Sequence, residues 1–261
     1  MTVNAIAPPL GLRAGPRYWW GSLSAVLRWQ LTSMRLLLPL LVIVQMLIAS
    51  GFSIGMSLFF SEVSPTVGLY LGTGSAIITL IVVGLIVAPQ LIAAEKEEDT
   101  YDFTWSLPTP RSAAVVAWLV LCAIVSVPSM ILALVVASWR LEIDYTLNWS
   151  IVAAVLLVLV CGTMIGYALA HAIPRPSLTQ LLTQVLAFGV LGFTPITFPL
   201  ENLPPWLASV HQVLPFYHMG VIVRGGLTQG LVEVLWVSYL VVLAWALTAM
   251  LVTALVLGRR K

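Results

Sequence analysis

The sequence predicts an all-α membrane protein with six transmembrane helices, and three observations predict it. Apolar residues make up 60% of the chain, the mean hydropathy is +1.03, and six apolar stretches are each long enough to cross a bilayer. Soluble domains average roughly 45–50% apolar residues, so the excess must face lipid. A helix rising about 1.5 Å per residue needs roughly 20 residues to cross the hydrocarbon. The stretches that qualify are Leu36–Phe60, Thr66–Ala93, Ser112–Ala137, Trp149–His171, Leu178–Phe198 and Val234–Leu257. They divide the chain into an N-terminal segment 1–35, a six-span body 36–257 and a basic tail 258–261. The first long apolar run starts late and no small-residue cleavage site follows it, so the first span is expected to be retained.

Ahead of that span, Pro16 suits a first helical position. At 100° per residue Arg17, Ser24, Arg28 and Arg35 form one stripe, and Trp19, Leu23 and Val26 point away from it. That pattern predicts a helix lying in the membrane surface. The spans themselves are oriented by their flanking cations. Arg13, Arg17, Arg28 and Arg35, then Lys96 and Arg111, then Arg175, then Arg259, Arg260 and Lys261 share one face, ten of the twelve basic residues, leaving Arg140 and Arg224 opposite. Both termini are therefore expected in the cytoplasm, with the chain in a bacterial plasma membrane. Phe59, Phe60, Trp139, Tyr145 and Trp149 cluster at the outer boundary, as an aromatic belt would.

The fifth span is weakened by Pro195 and by the polar Gln180, Thr183 and Gln184. After it, Pro199, Pro204, Pro205 and Pro215 forbid one long helix. Leu203, Trp206, Leu207, Val210 and Leu214 still recur at helical spacing, so short helices dipping into the outer leaflet are expected. Glu201, Glu233 and a lipid phosphate are the candidate partners of Arg224.

Charge is sparse, at 8%, yet AAEKEEDTYDFTWSLPTPRS (residues 93–112) holds Glu95, Glu97, Glu98, Asp99 and Asp102, half of the ten acidic residues. Several chemistries are missing elsewhere. Gly72-Thr73-Gly74-Ser75 lacks the lysine of a phosphate loop, so the chain is not expected to hydrolyse ATP alone. The span interiors carry no Asp, Glu, Lys or Arg, which disfavours a proton-coupled carrier. His171, His211 and His218 fall at opposite ends of the spans and read as solvated or capping groups, so neither a catalytic nor a metal site is expected. Cys122 and Cys161 read as apolar core residues at similar depth. A net charge of +2 confined to the ends gives no reason to expect nucleic acid.

Two stretches carry a family resemblance. Glu95-Lys96-Glu97-Glu98-Asp99-Thr100-Tyr101-Asp102 followed by Leu107-Pro108-Thr109-Pro110-Arg111 resembles the segment between the second and third spans of ABC-2 type permeases. Phe198-Pro199-Leu200-Glu201-Asn202-Leu203-Pro204-Pro205-Trp206-Leu207, with Leu214-Pro215-Phe216-Tyr217 to Arg224, resembles that family's outer loop. Asp99 stands where the family commonly has Gly, and Leu214 where Asn is frequent.

The resemblance implies a type V ABC exporter-like fold with a cytoplasmic coupling helix and outer re-entrant helices. The coupling helix would present Glu95, Glu97, Glu98, Thr100, Tyr101, Asp102, Phe103 and Trp105 to a cytoplasmic ABC ATPase, with Tyr101, Phe103 and Trp105 as its apolar anchors. A substrate path would take Ser75 and Thr79 from the second span and Gln180, Gln184, Phe188 and Phe193 from the fifth. Polar groups in spans also serve to join helices, and both roles stay open for each. An outer gate would include Pro199, Leu203, Pro204, Trp206, Pro215 and Arg224. ATP and Mg would sit on the partner ATPase, with no cofactor in this chain. A second copy or a related permease would complete the path, with membrane lipids around it. The implied activity is export of a drug-like, lipid or other amphipathic substrate; the alternatives are a proton-coupled secondary transporter and a membrane-embedded lipid-modifying enzyme.

Overall fold

A computed structural model describes residues 15–59 and 64–259, so Arg13, Phe60, Arg260 and Lys261 lie outside the described residues. Among the described residues six helices are long and apolar enough to cross a membrane. They are α2 (Leu37–Ser57), a continuous 33-residue span made of α3 (Pro65–Val82), a π turn (Val83–Val87) and α4 (Ala88–Glu97), then α6 (Arg111–Leu141), α7 (Ser150–Ala172), α8 (Pro176–Phe193) and α11 (Trp236–Arg259). Short helices complete the chain: α1 (Pro16–Ser33), α5 (Thr100–Ser106), α9 (Pro205–Val213) and α10 (Pro215–Leu227).

The α3–α4 span is the centre of the bundle. Its most apolar window is 83% buried, against 17% for α8, 22% for α2 and 28% for α11. Glycine makes that central position possible. A Cβ on Gly84 would stand 2.6 Å from the backbone nitrogen of Thr163 in α7, and one on Gly166 would strike the carbonyl of Gly84. The two backbones therefore meet through glycines, as small residues permit when lipid supplies no hydrophobic drive. The crossing falls within the π turn itself. Pro89 can donate no backbone hydrogen bond, and a π turn is one way for a helix to absorb such a loss without breaking. In α6, Pro128 creates the same deficit, and the Ser126 and Ser129 hydroxyls donate back to the carbonyls of Cys122 and Val125, each at 2.8 Å.

Three expectations change. The apolar stripe of α1 packs on protein as well as facing outward: Leu23 and Val26 are buried against Ala113 and Ala117 of α6, and Trp19 donates its indole N–H to the Ser112 hydroxyl at 2.9 Å. The fifth span stops at Phe193 rather than Phe198, because Pro195 cannot continue the helix. Residues 194–196 then run as buried non-helical backbone, tolerable at that position because protein surrounds it. Of the two roles open to the histidines, solvated or capping, the first is excluded by burial of all three, while His171 and His218 do bond carbonyls near the ends of α7 and α9.

Candidate functional site

The charged stretch folds into two pieces joined by a tight turn. α4 carries Glu95 to Glu97 at its end, Asp99 adopts a left-handed conformation (φ 58°, ψ 9°), and α5 starts at Thr100. Left-handed backbone is natural for Gly and tolerated by Asp, so the turn that prefers Gly survives with Asp99 in its place. The Thr100 hydroxyl closes the turn by donating to the Glu95 carbonyl at 3.1 Å.

Lys96 shows why α5 lies where it does. Its ammonium donates to the carbonyls of Ala170 (2.5 Å) and Ile173 (2.8 Å), at the end of α7 where helix carbonyls lack intrahelical donors. The same ammonium sits 5.1 Å from the centre of the Tyr101 ring. Tyr101 is buried, 5.6 Å from the His171 ring, and Trp105 packs 5.5 Å from that imidazole. His171 in turn stacks on Tyr167 at 4.0 Å and donates from Nδ1 to the Tyr167 carbonyl at 2.8 Å.

Of the three expected anchors, Tyr101 is buried and Trp105 half-buried, both packed toward His171, whereas Phe103 is exposed. The outward face consists of Glu97, Glu98, Thr100, Asp102 and Phe103, all exposed, with Glu95 half-buried behind them. Phe103 rests near Trp29 of α1, 6.2 Å between ring centres. A seven-residue helix is too short for its pattern to reveal which aromatics face in.

The residues expected along a path divide into two environments. The Ser75 hydroxyl bonds with Ser53 of α2 at 2.8 Å, the Thr79 hydroxyl donates to the Ala76 carbonyl at 2.7 Å, and both residues are fully buried. Ser75 joins α3 to α2, whereas Thr79 bonds within its own helix. Gln180, Gln184, Phe188 and Phe193 lie on the exposed side of α8. The structure does not bring the two groups onto one surface. Gln180 instead donates to the Glu97 carboxylate at 3.3 Å, connecting α8 to the charged patch.

The opposite end of the bundle is organised by Arg224, 2% exposed in α10. Its Nε donates to the Thr73 hydroxyl at 3.0 Å, a terminal nitrogen donates to the Ile196 carbonyl, and its guanidinium carbon lies 4.3 Å from the centre of the Tyr70 ring. Gly74 lets the 196–197 backbone approach, since a Cβ there would stand 2.9 Å from the Ile196 oxygen. Arg224 thus ties α3, α10 and the segment after α8 together, without an ion pair to Glu201 or Glu233. Those two carboxylates share with it the lining of a cavity of about 330 Å³. Of the other residues expected at a gate, Pro204 and Trp206 are exposed, Pro199 and Leu203 half-buried, and Pro215 buried. The partners of His218 could not be read from the sequence: its Nε2–H donates to the Gln212 carbonyl (2.8 Å) and its Nδ1 accepts from Ser238 (3.1 Å), fastening α9 to α10 and α11.

Comparison with known proteins agrees with this geometry. A family model described as ABC-2 family transporter protein matches residues 50–258. ABC transporter G family member 20 from Dictyostelium discoideum is 28% identical over 116 residues, which are 42% of this chain and 16% of that protein. The match thus spans well under two thirds of that relative's length.

Proposed function

The chain belongs to the ABC-2 family of transporter membrane proteins, and from that premise we propose that it is the permease of an ATP-driven exporter, with α5 as the helix that couples it to a separate ABC ATPase. The family forms the membrane-embedded transport component of ABC systems and is not itself the catalyst. The observation that carries the proposal is the build of α5. Tyr101, Trp105 and the Lys96 clasp anchor it from within, while Glu97, Glu98, Asp102 and Phe103 are left on its outer face. A force on that face is delivered to α4 and α7, and α7 meets the π turn that precedes α4 at the Gly84–Gly166 crossing. Acidic side chains around one exposed ring suit a basic, grooved partner surface.

In this reading the α5 end and both termini are cytoplasmic, ATP and Mg bind to the partner, and closure of two ATPases tilts two permease copies between inward- and outward-facing states. The second copy covers the apolar, exposed flank of α8, where Leu181, Val185 and Phe188 stand outward. Gln184, Phe188 and Phe193 then line the path between copies, with Ser75 and Thr79 behind it. An uncharged path favours amphipathic or apolar cargo, and α9 and α10 close its outer end.

The test is reconstitution with the partner ATPase in nanodiscs. Phe103→Ala and Glu98→Lys are expected to weaken ATPase association by roughly tenfold or more, as truncation at an interface hot spot does, and to abolish ATP-dependent export. Wild-type association and export in both variants would overturn the proposal.

A further inference from the structure

The cavity of about 330 Å³ beside Arg224 carries an order of charges that the fold itself does not use. Its size lies within the range of small-molecule sites, roughly 300–1,000 Å³. Arg224, 2% exposed, stands on its deep side, and Glu201 and Glu233 stand exposed at its rim. Two of the three guanidinium nitrogens serve the fold, Nε through Thr73 and one terminal nitrogen through Ile196. The third, Nη1, has no hydrogen-bond partner among the described residues, yet it is not sealed off from open space. Half-buried Tyr70 and Tyr217 also line the cavity, and their hydroxyls are likewise unpartnered and reachable. Burial first, then the Glu201 carboxylate and Tyr70, raise the Tyr217 phenol above its ordinary range, and Arg224 opposes them. These groups therefore share one electrostatic neighbourhood.

Each simple ion meets an obstacle here. A lone cation that reached the deep side would face the guanidinium, and a lone anion would have to pass two carboxylates. A molecule with an acid at one end and an ammonium at the other suits both. Arg224 cannot swing out to its ligand, because Thr73, Ile196 and the Tyr70 ring hold it, so the acid must be small enough to enter. A guanidinium nitrogen and two hydroxyls suit an anion with several acceptor oxygens, as a phosphate has, while two carboxylates suit an ammonium that still carries N–H groups. We propose that this cavity binds a zwitterion of the phosphoethanolamine kind, its phosphate accepting from Arg224 Nη1 and the phenols and its primary ammonium donating to Glu201 and Glu233. The same chemistry belongs to a zwitterionic lipid head and to a free phosphoester, and lipid heads surround either end of a membrane bundle. The lining comes from the segment after α8, from α10 and from residues 231–235 ahead of α11, so occupancy pins the three together. This binding does not rest on the function proposed above.

Binding is tested on the full chain in phosphatidylcholine nanodiscs, by isothermal titration calorimetry with glycerophosphoethanolamine, glycerophosphocholine, ethanolamine and glycerol phosphate. The first is expected to saturate one site per chain. The choline ester lacks N–H donors and the two fragments each lack one charge, so all three are expected to bind about tenfold more weakly or not at all, as loss of a charge-assisted hydrogen bond predicts. Glu201→Gln combined with Glu233→Gln removes the rim charge from exposed side chains and is expected to weaken the ethanolamine ester by about tenfold. Tyr217→Phe keeps the ring and removes one donor, for a loss of about threefold; thermal unfolding of each variant establishes that it is folded. Equal affinity for the ethanolamine and choline esters, or unchanged binding in the double variant, would overturn the site. Replacing half of the lipid by phosphatidylethanolamine separates the two sources. A weaker apparent affinity for the soluble ester, with slower amide hydrogen exchange over residues 195–201 and 231–235, supports the site with the lipid head as its occupant, and an unchanged affinity supports it with a water-borne phosphoester. If the soluble ester does not saturate and phosphatidylethanolamine leaves the exchange unaltered, the proposal fails.

Discussion

At the α5 end Glu97, Glu98 and Asp102 stand exposed around one outward phenyl ring, while at the α10 end Arg224 is 2% exposed and held by a hydroxyl, a carbonyl and an aromatic face. Both regions are the charged exceptions in a chain that is 8% charged. Their difference follows from desolvation. A buried guanidinium is tolerable only where fixed dipoles replace its water, so Arg224 is committed to the fold and cannot easily be lent to a partner. The acids near α5 keep their water and their freedom, which leaves them available for an encounter that another protein must complete. Lys96 lies between these extremes: it belongs to the charged stretch by sequence, but by contact it belongs to α7.

Removing Arg224 should break the buried side of this comparison most visibly. Arg224→Met leaves the Ile196 carbonyl without its donor, whereas Thr73 keeps its own bond to the Leu69 carbonyl at 2.6 Å. One orphaned carbonyl plus the lost ties between α3, α10 and the post-α8 segment predicts destabilisation of about 2–4 kcal/mol. Thermal unfolding in detergent measures it. Arg224→Lys, with a point charge in place of the planar fork, is expected to recover only part of the loss. An unchanged midpoint in Arg224→Met would mean that the burial of this charge does not hold the fold.

Lys96→Met comes next. Losing charge-assisted bonds to Ala170 and Ile173 predicts about 1–2 kcal/mol of destabilisation. The loss should be local: amide hydrogen exchange is expected to quicken over residues 98–106 and at the end of α7, and to stay unchanged around Arg224. Global loosening would place Lys96 with Arg224 rather than with the acids beside it.

The outward residues define the other side. Phe103→Ala is expected to move the unfolding free energy by less than about 0.5 kcal/mol, in the range of surface changes remote from special features, while ATPase association falls as stated above. A large stability loss with normal association would reverse the assignment of faces on α5.

How much of this was legible in the sequence follows the same division. Apolar length alone marks six spans, because the bilayer imposes a minimum on every helix that crosses it. Pro199, Pro204, Pro205 and Pro215 rule out one long outer helix, and the chain there forms the short helices α9 and α10, each starting at a proline. Direction within an element was harder. Tyr101, Phe103 and Trp105 are chemically alike, and only the positions of Lys96, Tyr167 and His171, brought from α4 and α7, decide that the first and third turn inward. Ser75 and Thr79 look equally suited to a polar path and to helix joining, and the partner that decides Ser75, Ser53, is a long way off in sequence.

The smallest expected effect is also the sharpest test of the boundary between structural and exposed charge. Asp99 is an L-residue in left-handed backbone, a conformation that generally costs about 1–2 kcal/mol and less for Asp, whose short side chain tolerates it. Asp99→Gly removes that cost but adds freedom to the unfolded chain, so the net gain should be about 0.5 kcal/mol. For a chain of this size that is about 1–2 °C in the unfolding midpoint. Asp99→Ala keeps the steric cost and loses the polar side chain, and should lower the midpoint instead. If Asp99 serves only the turn, coupling to the ATPase should be unchanged in Asp99→Gly. If the midpoint rises while coupling falls, its carboxylate belongs with Glu97, Glu98 and Asp102 on the docking face, and the strained turn is retained for the sake of that charge.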